Sequence, residues 1–206
     1  MIAIVQHLKM TEVDPDSLPK GSLAKDRTIV EEEVALMHRV ATGEDAAMAL
    51  LVDRWKGPLV RFFNRSLHSL ADAEELSQTT FIKLYRAAER YQPTDKFSTY
   101  LFTIARRVLL DEHKRRARHP VDPIDPGELR VNADPAGKIR VYELEEALHQ
   151  CLGKLPENHR TALLLRVQRE LAYEEIAAIM KASHGAVKTW IHRARTHLRD
   201  NLKQIL

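Results

Sequence analysis

Hydrophobic positions along this chain recur at three- and four-residue intervals, the spacing that lays one apolar stripe along an α-helix. Val34, Leu36, Met37 and Val40 open the pattern. Gly43-Glu44-Asp45 interrupts it, and it resumes from Ala46 to Leu67, with Pro58 expected to kink or break that second helix. Asp72-Ala-Glu-Glu reads as a helix start, with Asp72 as the cap and Glu75 at the third position. The stripe Leu76, Phe81, Leu84, Tyr85 and Ala88 follows. Tyr91 to Lys96, which contains Pro93, reads as a loop. Ser98 or Thr99 is placed to cap the next helix, whose inner face is Leu101, Ile104, Ala105, Val108 and Leu109.

The periodicity stops at residues 119–137, HPVDPIDPGELRVNADPAG. Four prolines and two glycines in these nineteen residues exclude a helix or a central strand and predict a proline-stiffened linker. Four helices are predicted beyond it, over 139–153, 157–170, 172–181 and 183–203, with Pro156 at a first-turn position and Ser183 as an N-cap. The fold class is therefore all-α: two small helical domains, the second a helix-turn-helix. The division is 1–28 as a mobile arm, 29–118 as the first domain, 119–137 as linker and 138–206 as the second domain.

Charge sharpens this outline. The net charge is only +3, yet cations cluster in two places. Between Lys181 and Leu206 stand six Lys or Arg against one acid, and between Arg106 and Arg118 six against two. Such local density favours polyanions more than the total suggests. On the last helix Val187, Ile191, Ala194, Leu198 and Leu202 share one stripe, while Lys188, His192, Arg195 and Arg199 share another, bordered by Thr189 and Thr196. Lys and Arg suit phosphates and guanine edges, and short hydroxyls suit either. Near the first basic cluster stand Phe97, Tyr100 and Phe102, which fit either a core or a platform for unpaired bases.

Cys151 is the single cysteine, so no internal disulfide forms and a reducing cytoplasm fits. No Cys/His set has zinc spacing, and no cofactor motif is present. No apolar run approaches the length of a membrane span, which argues against membrane insertion. Glu145-Glu146 and Glu174-Glu175 are adjacent and point to different helix faces, so neither forms a catalytic carboxylate pair.

Three segments together resemble the extracytoplasmic-function group of bacterial sigma factors: DAEELSQTTFIKLYRAAERY, FSTYLFTIARRVLLDEHKRRAR and LPENHRTALLLRVQRELAYEEIAAIMKASHGAVKTWIHRARTHL. The resemblance covers about residues 30 to 203. It implies a promoter-specificity subunit without catalytic residues or cofactor. Asp72, Glu74, Glu75 and Gln78 would bind the β′ clamp of core RNA polymerase. Lys96, Phe97, Ser98, Tyr100, Arg106, Arg107, Lys114 and Arg115 would meet minus-ten promoter DNA. Ser183, His184, Lys188, Thr189, His192, Arg195 and Arg199 would read the minus-thirty-five element while the second domain docks on the β flap. An anti-sigma factor is the further partner implied.

Some positions depart from the family pattern. Tyr100 stands where Trp is usual, Arg107 where Asn is frequent, and Thr79 where Glu follows the glutamine. A phosphate on Thr79 or Thr80 would restore an acid there. Ala172 replaces a capping Ser, and Trp190 an Arg, so that Trp190 either packs or touches DNA. The rival reading is a conventional helix-turn-helix regulator with an N-terminal sensory or dimerisation domain. It lacks support from any receiver-like alternation of strands and helices or any glycine-rich phosphate loop.

Overall fold

The computed structural model describes residues 23–118 and 135–203, with side chains over 31–118 and 144–203. Among these residues the regular elements are all helical: α1 (Leu23–Ala41), α2 (Asp45–Leu67), α3 (Leu70–Ala87), a 3-10 turn (Ala88–Arg90), α4 (Phe97–Arg118), α5 (Pro135–Gly153), α6 (Glu157–Arg169), α7 (Tyr173–Met180) and α8 (His184–Leu202). The expected arm and linker lie mostly outside the described residues. α1 begins at Leu23, six residues inside the stretch assigned to the arm, and α5 begins at Pro135, inside the stretch assigned to the linker. Proline suits a first helical position because the N–H it lacks has no partner there.

The first unit packs α1–α4 around large apolar side chains. α2 contributes Leu51, Trp55, Leu59, Phe62 and Phe63 at helical spacing, and α4 contributes Phe97, Leu101, Phe102, Ala105 and Leu109. The rings meet edge to face, with Trp55 5.7 Å from Phe97 and Phe62 5.4 Å from Phe102. Such pairs add roughly 0.5–1.5 kcal/mol each beyond their buried area.

Four local expectations are corrected. α2 runs unbroken for 23 residues through Pro58. The proline deprives the Arg54 carbonyl of its helical donor, but Gly57 before it has no Cβ to clash with the ring, and buried residues on both sides hold the helix together. The cap of α3 is Ser69, whose hydroxyl oxygen accepts from the Asp72 N–H at 3.3 Å, so Asp72 lies within the first turn. Tyr85 is 45% exposed, and the buried stripe instead takes in Ser77 and Thr80. The Thr80 hydroxyl donates to the Leu76 carbonyl at 2.7 Å, which removes the penalty for burying it. α4 starts at Phe97, ahead of the two residues expected to cap it; the Thr99 N–H donates to the Lys96 carbonyl at 2.9 Å.

The second unit comprises α5–α8. Leu148 and Leu152 of α5, Leu163–Leu165 of α6 and Ile176, Ile179 and Met180 of α7 enclose the apolar stripe of α8, all five members of which are buried as expected. Ser183 caps α8, accepting from the Ala186 N–H at 3.2 Å. Ala172 has no hydroxyl to cap α7. Half of a capping box survives, because its N–H donates to Glu175 Oε2 at 2.7 Å. The two units touch: α2 packs on α5 and α6, and α4 packs on α7.

Candidate polymerase and promoter interfaces

The turn between α7 and α8 fixes the angle of the basic helix. Lys181 adopts the left-handed conformation (φ 51°). Its N–H donates to the Ala178 carbonyl at 3.3 Å, and the Ala182 N–H reaches Ala177 at 3.0 Å. This pair of bonds is a Schellman ending, and it offsets the roughly 1–2 kcal/mol strain of a side chain at positive φ.

Burial of Val187, Ile191, Ala194, Leu198 and Leu202 turns the opposite side of α8 outward. His184, Lys188, Thr189, His192 and Arg199 are exposed there, and so is Arg193, which had not been singled out. Arg193 follows from the same helical angle: it lies beside Thr189 on the face away from the stripe. Arg195 is half-buried beside Tyr173 and Arg166, and burial pulls its guanidinium below the usual arginine range. It flanks the exposed face rather than forming its centre. His184 packs against Tyr173, 5.4 Å between ring centres, and its Nε2 lies 3.3 Å from Glu174. Trp190 is half-buried and packs against the core.

On α3 the residues Glu74, Glu75 and Gln78 form an exposed face, while Asp72 is half-buried. Asp72 Oδ2 accepts from Arg116 at 2.6 Å. Arg116 also donates to Glu112, as does Arg115 through two bonds of 2.7 and 2.9 Å. The Arg115 hydrogen bond, then that of Arg116, outweighs burial and holds the Glu112 carboxyl below its ordinary range. The α3 face continues along the helix into Ile82, 52% exposed, and Tyr85. Helical periodicity alone puts Tyr85 on the apolar stripe, which hides this extension from a reading of the sequence. Thr79 is half-buried, and Thr80, fully buried with its hydroxyl engaged, offers no surface to a kinase.

The third group gathers at the loop before α4. Phe97 is 0% exposed and belongs to the core, so the base-stacking alternative does not describe it. Tyr100 is half-buried against Tyr91, 4.9 Å between ring centres. Burial raises the phenol pKa of both rings. Ser98 is half-buried, and Arg107, Lys114 and Arg115 are exposed. The second unit engages Lys96 and Arg106. Lys96 Nζ lies 3.1 Å from Glu175 of α7, and Arg106 donates to Asn158 Oδ1 at 3.3 Å with Glu157 4.0 Å away. The four candidate clamp residues thus share α3, the minus-ten candidates share one loop and helix, and the minus-thirty-five candidates share α8 and its cap.

Comparison with known proteins identifies two family regions in the chain. The family profile for Sigma-70 region 2 matches residues 51–119, and that for Sigma-70, region 4 matches residues 145–198. The chain is 31% identical over 186 residues to the RNA polymerase sigma-H factor of Pseudomonas aeruginosa, covering 85% of this chain and 96% of the relative. It is 30% identical over 177 residues to the ECF RNA polymerase sigma factor SigW of Bacillus subtilis, covering 81% and 95%. Among solved structures it is similar to CnrH in complex with the cytosolic domain of CnrY, with a TM-score of 0.64, 25% identity and coverage of 84% of this chain and 98% of that one. The sigma factor RpoE in complex with the anti-sigma factor NepR from Bartonella quintana shares the fold at a TM-score of 0.61 and 23% identity, covering 75% and 96%. The order of the two helical units, the basic helix-turn-helix and these relationships together make the chain a member of the extracytoplasmic-function group of RNA polymerase sigma factors, proteins that direct transcription initiation.

Proposed function

We propose that the residues of this sigma factor divide the work as follows. The α3 face of Glu74, Glu75 and Gln78, extended by Ile82 and Tyr85, binds the β′ clamp of core polymerase, with Asp72 tied to Arg116 beneath it. Lys96, Ser98, Tyr100, Arg106, Arg107, Lys114 and Arg115 meet the minus-ten strand. Ser183, His184, Lys188, Thr189, His192, Arg193 and Arg199 meet the minus-thirty-five element, with Arg195 at the margin, while this unit docks on the β flap. The first domain extends to about Arg118 and the second begins near Pro135. The protein works in the cytoplasm without a cofactor and without catalysis of its own. An anti-sigma factor is its regulatory partner, in keeping with the complexes formed by CnrH and by the Bartonella protein.

The observation that carries this reading is the contrast between two surfaces: the outward face of α8 is cationic, and the N-terminal half of the exposed α3 face, Glu74, Glu75 and Gln78, is acidic and polar. In vitro transcription tests it. Core polymerase plus this chain on a promoter library should initiate from a defined pair of elements. Absence of any core-dependent initiation, with DNA binding by the free chain alone, would favour the conventional regulator instead.

A further inference from the structure

The contact between the two units contains an unusual pair. His68, which ends α2, and His149 of α5 stack face to face, with ring centres 4.0 Å apart and planes 10° from parallel. Both rings come from different units, so the stack exists only while the units are together. Around it lie Arg65 of α2, 3.5 Å from Glu145, and Glu146 of α5, whose carboxylate is 3.5 Å from His68 Nε2. Glu146 also accepts from Gln150 at 3.0 Å. Among the described residues, α8, packed on the same helix, adds no charge that acts on His149.

Neutral imidazoles stack favourably. A proton on each would place two like charges at 4.0 Å, beside a third cation on Arg65. Glu146 offsets one such charge at His68 but not both. His149 is the half-buried member and bears the greater burden. We propose that His68 and His149 form a proton-sensitive clasp between the two units, closed when the rings are neutral and released in acid. Release frees Lys96 from its ion pair with Glu175 of α7 and uncovers Arg106, which α6 engages in the closed arrangement; this functional consequence rests on the minus-ten reading above.

The titration of His149 supports the clasp. Burial first, then His68, then Arg65, push its pKa down to about 4, with Glu146 opposing. Once the units separate, the ring returns toward the ordinary value of about 6.5. A histidine depressed in the closed state stabilises that state fully above about pH 6.5 and loses this contribution as pH falls toward about 4. The ring is only half-buried, so solvent screening trims the effect, leaving a shift on the order of ten-fold in the open-to-closed ratio between pH 7.5 and 5.

Small-angle X-ray scattering of the full chain from pH 7.5 to 5 tests the clasp without DNA. The radius of gyration should rise in acid while helical circular dichroism holds. His149→Phe keeps a stacked ring that takes no proton, and should flatten the response. His149→Lys should be expanded already at pH 7.5. Identical acid expansion of wild type and His149→Phe, or no expansion of wild type, overturns the clasp. Binding of a single-stranded minus-ten oligonucleotide, followed alongside, isolates the other assumption. Expansion without a gain in oligonucleotide binding upholds the clasp and overturns the DNA assignment of Lys96 and Arg106.

Discussion

The guanidinium carbon of Arg169, at the end of α6, lies 4.4 Å from the centre of the Trp55 ring in α2 and 5.9 Å from that of Phe102 in α4. The Trp55 indole N–H in turn donates to Glu33 at 2.9 Å, so a carboxylate of α1 completes a chain from acid through ring to cation. Arg169 Nε is buried without a hydrogen-bond partner. A partly desolvated cation over a tryptophan contributes about 1–2 kcal/mol.

Arg169→Ala should therefore loosen the contact between the units roughly tenfold while leaving each unit folded. In a Trp190→Phe background, Trp55 emission reports the change directly. A red shift with unaltered helical circular dichroism is the expected result, and an unchanged spectrum with unchanged scattering would remove Arg169 from the interface.

On the α3 face proposed to bind the clamp, two classes of acid separate. Glu74 and Glu75 are exposed, whereas Asp72 is tied to Arg116. The double change Glu74→Lys with Glu75→Lys should weaken binding to core polymerase at least about tenfold, each lost charged contact amounting to roughly 1 kcal/mol, without lowering the melting temperature. Asp72→Ala should lower the melting temperature slightly, because it removes one of the two ion pairs of Arg116 and leaves the bond to Glu112 in place. Tyr85→Ala should weaken binding with little change in stability. Pull-down and thermal melts on the same samples distinguish the three.

On α8 the residues near the cap and those farther along should behave differently. Lys188→Ala should lose roughly 1–3 kcal/mol of promoter affinity and relax preference at one base. Arg193→Ala and Arg199→Ala should weaken all sequences alike and reduce the salt slope by about one. Fluorescence anisotropy on a set of single-base promoter variants at two salt concentrations reads both quantities. Trp190→Arg should destabilise the second unit by about 1–3 kcal/mol, since the ring packs on the core, and urea midpoints measure it.

The Glu112 network predicts an acid limit. Its carboxyl is held low by Arg115 and Arg116, so it stabilises the fold above the ordinary carboxylate range and loses that contribution as pH falls through and below it. The stability difference between wild type and Glu112→Gln should be largest near neutrality and shrink toward pH 3. Equilibrium unfolding at pH 7, 5 and 3 measures it.

How much of this was readable beforehand depended on what kind of force set each feature. The apolar stripe of α8 and the inner face of α4 follow from helical periodicity, and every residue assigned to them is buried. Ser183 as a cap followed from local hydrogen bonding and holds. Pro58 does not break α2, because burial on either side and the glycine before it outweigh the lost hydrogen bond. Asp72 misled because Ser69 offers the same chemistry three residues earlier. Thr80 and Tyr85 exchanged places because a threonine that satisfies itself on the preceding turn is a small core residue. The Arg169–Trp55 and His68–His149 contacts join residues 114 and 81 positions apart by subtraction, and no local rule reaches that far.

The direct covalent path between the units runs from Arg118 to Pro135, sixteen residues by subtraction. A tether of that length turns their meeting into an intramolecular event with an effective concentration of about a millimolar. A surface contact far too feeble to unite two separate molecules then suffices to keep this chain folded on itself. The same tether serves the opposite outcome. A polymerase that captures either unit holds the other at comparable local concentration, so the second foothold follows almost without diffusion. Closed and engaged forms thus compete within one molecule, and on the clasp proposed above a proton or one guanidinium shifts which of them prevails.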